Sequence, residues 1–137
     1  MMKHGITVAI VLAASITAFA GKEQREMIKN EVNPALREAE GKFKASCGCA
    51  LKITFDENAV KSNDELYQFK HVAESITENA PKYCTDAASK KAVCQMKTLT
   101  LAKAAESKFS FKNGNGLATT DGSSYIDWDL ITRELDK

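Results

Sequence analysis

Four cysteines behind an export-type leader limit this chain more than any other feature. Cys47, Cys49, Cys84 and Cys94 are all that the 137 residues contain. Upstream, Lys3 and His4 precede an uncharged run from Gly5 to Gly21, which carries Ala18-Phe19-Ala20 near its end. A basic start, an apolar middle and a small-x-small end make a secretory signal peptide. Residues 1–20 are therefore expected to be cleaved, leaving 21–137 as one α+β domain. The run falls short of the roughly 20 apolar residues that cross a bilayer, so no membrane attachment is expected after cleavage. A leader this simple fits the bacterial periplasm, or secretion beyond it.

In an oxidising compartment, four cysteines mean disulfides. Three pairings exist. A bridge from Cys47 to Cys49 would close a small, strained ring across one glycine, which favours cross-linking this pair to Cys84 and Cys94. Each long bridge closes roughly 35–50 residues and contributes about 4 kcal/mol in the chain-entropy model. A thiol–disulfide exchange site at Cys47-Gly48-Cys49 is the functional alternative, but Cys-x-x-Cys at a helix start is missing. Thiolates for a soft metal would need further ligands, and no Met or His lies close in sequence.

Charge excludes more. The chain has 19 basic and 18 acidic residues, and removing Lys3 with the leader balances them. A neutral chain without a long basic run is not expected to bind nucleic acid. His71 is the one histidine outside the leader, so a multi-histidine metal site is excluded within one chain. It shares a helix face with Tyr67, Glu74 and Glu78, away from the apolar stripe, and reads as solvated surface. Asp121, Asp127 and Asp129 do not have calcium-loop spacing and read as turn and helix caps. No metal or cofactor is expected, and no catalytic set assembles.

Periodicity gives the elements. Ile28, Val32, Leu36, Ala39 and Phe43 mark a helix over 22–45, restarted or kinked at Asn33-Pro34. Leu51, Ile53 and Phe55 alternate with Lys52, Thr54 and Asp56 as a half-buried strand. Ser62 and Glu65 open a helix over 63–79 as a capping box, with Pro81 as its stop. Thr85 or Asp86 caps a short helix through Val93. Residues 96–112 read as a hairpin turning near Lys103–Glu106. Asn113-Gly114-Asn115-Gly116 is a second turn, and Leu117–Thr120 starts a further strand. The tail reads as a strand ending near Asp127, followed by a short helix. The expected fold is α+β: a three- or four-stranded, mostly antiparallel sheet with helices on one face, stapled by disulfides.

With no catalytic set, the expected function is binding another macromolecule, as a small exported, non-enzymatic protein of inhibitor or immunity type. A protein in the periplasm or outside the cell is the expected partner. Asn113 and Asn115 in the protruding turn, with the aromatic Tyr125 and Trp128, are the candidate interface, although a lone Trp in a small domain reads more often as core. A small-ligand carrier is the alternative, and a redox protein using Cys47 and Cys49 a weaker one.

Overall fold

A computed structural model describes residues 21–123 and 126–137; the leader lies outside the described residues. The first helix is continuous. Residues 21–27 (α1) are helical, Ile28–Val32 widen into a π turn, and Asn33–Cys47 continue as α2. Pro34 explains the widening. A proline ring inside a helix collides with the carbonyl four residues back. Here Asn33 N–H reaches back five residues to Ile28 O instead. Asn33 is itself helical, at φ −58° and ψ −42°, so the chain neither restarts nor caps there.

β1 (Lys52–Phe55) follows, then α3 (Asn63–Tyr83) and α4 (Ala87–Val93). The capping box at α3 forms in altered guise. Glu65 accepts from Lys61 N–H and from the Ser62 hydroxyl, and Ser62 makes no side-chain cap. Pro81 does not stop the helix before it. It sits in the last turn, where its missing N–H costs a single bond, and the helix ends at Tyr83. Asp86 caps α4 by accepting from Ser89 N–H at 2.7 Å.

The strands β2 (Thr98–Lys103), β3 (Lys108–Lys112) and β4 (Asn115–Thr120) complete a sheet ordered β1-β2-β4-β3. β1 with β2 and β2 with β4 are parallel; only β3 with β4 is antiparallel. The sheet is therefore mixed and mostly parallel, not mostly antiparallel. Two causes overturn the sequence expectation. The β1–β2 connection holds two helices, and a crossover of that length brings the chain back in parallel. The expected β2–β3 hairpin also fails, because β4 lies between these strands. Ala104-Ala105-Glu106 offers no residue suited to a tight turn. Asn113 and Gly114, at φ 51° and 83°, supply the two positive angles of a type I′ hairpin. Turn chemistry thus pairs β3 with β4, and the turn docks back: Gly114 O accepts from Lys97 N–H and Thr98 N–H.

α5 (Trp128–Leu135) closes the fold, capped by Asp127, which accepts from Leu130 N–H. Ile126 and Asp127 are not in a strand. The core lies between the helices and one face of the sheet, with Leu36, Phe43, Leu66 and Ile76 meeting Ile53, Leu99 and Leu101. Alternation along each strand leaves the other face outward.

Candidate functional site

Two disulfides join Cys47 to Cys84 and Cys49 to Cys94, spanning 37 and 45 residues. Gly48 between them is left-handed at φ 81°, a conformation that side chains resist. This turn ends α2 and lets adjacent cysteines serve different partners: the end of α3 and the end of α4. No cysteine is free. The pairs tie the helix layer to the entrance of the sheet and suit a non-reducing environment.

The outward sheet face is built from complementary positions in register. One row runs Lys52, Thr98, Asn115, Lys112 across the four strands. The next runs Thr54, Thr100, Leu117, Ser110. Beyond it Lys108 pairs with Thr119, which is roofed by the β2–β3 connection through Thr119 Oγ1 donating to Glu106 O at 2.8 Å. Leu117 sits on the interior strand β4 and is 38% exposed, one of two large apolar side chains open to solvent among the described residues. The strands contribute no Asp or Glu to this face. Lys52, Lys108 and Lys112 are exposed and form no ion pair among the described residues.

The sequence candidates divide. Asn113 is exposed in the hairpin turn. Asn115 is on the outward face, accepting from Thr98 Oγ1 at 2.6 Å. Tyr125 lies outside the described residues. Trp128 is corrected to a core residue. It is 3% exposed, packed edge-on against Phe43 and Tyr83, because it begins α5 on the face that meets α3. Tyr83 is pushed above the usual phenol range, first by burial and then by its hydrogen bond to Asp136. His71 pairs with Glu74 at 3.5 Å on an exposed helix face. No group of three His, Cys, Asp or Glu able to hold a metal occurs among the described residues.

The lysines and Leu117 were missed as site residues. Their alternation was visible along each strand, but the sheet order that unites them was not.

A groove of about 310 Å³ runs along the β1 edge, lined by Leu36, Arg37, Lys52, Ile53, Phe55 and Glu57 among others. Its floor is already satisfied: Ile53 N–H donates to Glu40 Oε2 and Arg37 Nη2 donates to Ile53 O, each at 2.7 Å. No helix among the described residues is long and apolar enough to cross a membrane. Compared with known proteins, the chain matches no family, no curated protein and no solved structure.

Proposed function

We propose that this chain is a small, exported, non-enzymatic protein that binds another protein, as an inhibitor or immunity-type module of the periplasm. The carrying observation is the outward sheet face, with Leu117 exposed in the middle of its interior strand. A half-covered sheet ordinarily turns polar residues to water. A leucine there, ringed by Thr100 and Ser110, offers apolar contact at the centre and hydroxyl hydrogen bonds around it, the arrangement of a protein interface. Asn113 and Asn115 extend the same end of the sheet. The two disulfides support the oxidising compartment such a module works in. The alternative, a small-ligand carrier, would use a mostly apolar concavity. The β1 groove instead mixes Leu36, Ile53 and Phe55 with the charged Arg37, Lys52 and Glu57.

The test is a photoreactive residue placed at position 117 or, as control, at exposed Tyr67 on α3. In the producing cell, position 117 should yield a discrete cross-linked protein and position 67 none. Absence of any adduct at 117, with a small molecule recovered on the purified chain, would overturn the reading.

A further inference from the structure

Resting on that protein-binding reading, we propose that the partner presents an acidic protein surface, received by Lys52, Lys108 and Lys112 around Leu117. The register fixes the layout. Lys52 and Lys112 end the same row on opposite edge strands, three strand spacings or about 14 Å apart. Lys108 lies four residues along β3 from Lys112, about 13 Å away. The three cations thus mark three corners of the face, with the leucine inside.

Their counter-charges are not on this face. Elsewhere Lys70, Lys82, Lys103 and Lys137 pair with acids, and lysines that do not, such as Lys42 and Lys44, share their helix with Glu38 and Glu40, whereas the strands of this face carry no acid. A near-neutral chain that gathers unpaired cations on one face presents a one-signed field there, and such a field selects partners of opposite sign.

Other occupants fit less well. A second copy laid face to face would set lysine against lysine. A nucleic acid would be gripped by arginines and stacked on aromatics, and the outward strand positions supply neither. A bare polyanion would gain nothing from Leu117. A protein with carboxylates around a small apolar contact uses every feature. Four strands of at most six residues give a face of roughly 400 Å², about half the 800 Å² that one partner ordinarily buries. The complex should therefore be modest in strength and sensitive to salt.

The test uses the purified mature chain and a glutamate–leucine copolymer as acidic probe, followed by backbone amide NMR, with poly-L-glutamate, heparin and a DNA duplex as comparison polyanions. The copolymer should shift the amides of all four strands at low salt. Replacing Lys52, Lys108 and Lys112 with Gln should weaken binding about tenfold, and replacing all three with Arg should restore it. Exposed positions should leave the rest of the spectrum in place, which separates lost binding from lost folding. No binding of the copolymer, equal binding by the Gln variant, or tighter binding of any comparison polyanion overturns the proposal. The protein-binding reading is scored separately, by the cross-link at position 117. An adduct there that survives the triple Gln change refutes the acidic partner and leaves that reading standing.

Discussion

Replacing Glu40 with Ala should expose how this sheet protects its edge. β1 is an edge strand, and an edge offers unpaired amides and carbonyls to any passing strand. Here α2 fills that role with side chains. Glu40 Oε2 takes the Ile53 N–H and Arg37 Nη2 donates to the Ile53 carbonyl, both at 2.7 Å, while the two side chains pair at 3.2 Å. Together they imitate the donor and acceptor of a neighbouring peptide. The ion pair itself contributes little, because the Arg37 side chain is 47% exposed. The hydrogen bond matters more. A bond to a charged acceptor contributes about 1.5–3 kcal/mol, and an orphaned buried donor costs about 1–3 kcal/mol. Ile53 is fully buried, yet the Glu40 side chain retains 17% exposure, so water can partly replace it. About 1.5 kcal/mol is the working figure for Glu40→Ala. In urea, with a slope of about 1.5 kcal/mol per molar, the midpoint should fall by about 1 M. Glu40→Gln keeps an acceptor and should lose less than half as much. Sedimentation should also show concentration-dependent pairing of the Ala variant, through the uncapped edge. An unchanged midpoint for the Ala variant, or an equal loss for the Gln variant, would show that Glu40 does not cap the edge.

Other outcomes follow from the same geometry. Removing Cys47–Cys84 by a double change to Ala should lower stability by about 4 kcal/mol in the chain-entropy model for a 37-residue span, read by thermal unfolding. Thiol counting on the native chain should find none free, and a reactive thiol would revive the redox alternative. Gly116→Ala should cost about 1–3 kcal/mol by overpacking, since the new methyl would sit 2.7 Å from Met96 Sδ and 2.9 Å from Phe109 Cε1; a Tm equal to wild type would count against the register of β4. Asp86 is held below the usual carboxylate range, chiefly by the Ser89 backbone hydrogen bond. Its contribution is present above the ordinary Asp pKa and fades as pH falls through the lowered folded value. Asp86→Asn should flatten the acid limb of α4 amide protection; an unchanged limb would remove that role.

Local rules carried most of the elements, because each is decided by nearby residues. The alternation Leu51-Ile53-Phe55, the acid at Asp86 and the Asn113-Gly114 pair all act within a few positions. Sheet order is decided by competition between distant strands, and there adjacency in sequence misled. β2 and β3 are neighbours along the chain, yet the better turn at Asn113-Gly114 folds β4 into the space between them. Trp128 was legible in part: a lone Trp in a small domain reads more often as core than as interface, and the packing of α5 against α3 decides for the core. The outward lysines were legible one strand at a time. Lys52 and Lys112, sixty residues apart, become one row only once β1 and β3 are known as opposite edges.

Where the protein works, a partner should cover the outward sheet face. Lysine acylation in the intact producing cell, compared with the purified chain, reads that cover residue by residue. Lys52, Lys108 and Lys112 should react markedly more slowly in the cell, while Lys42 on the exposed side of α2 reacts equally in both. Equal reactivity of all four lysines in the two settings would contradict the account.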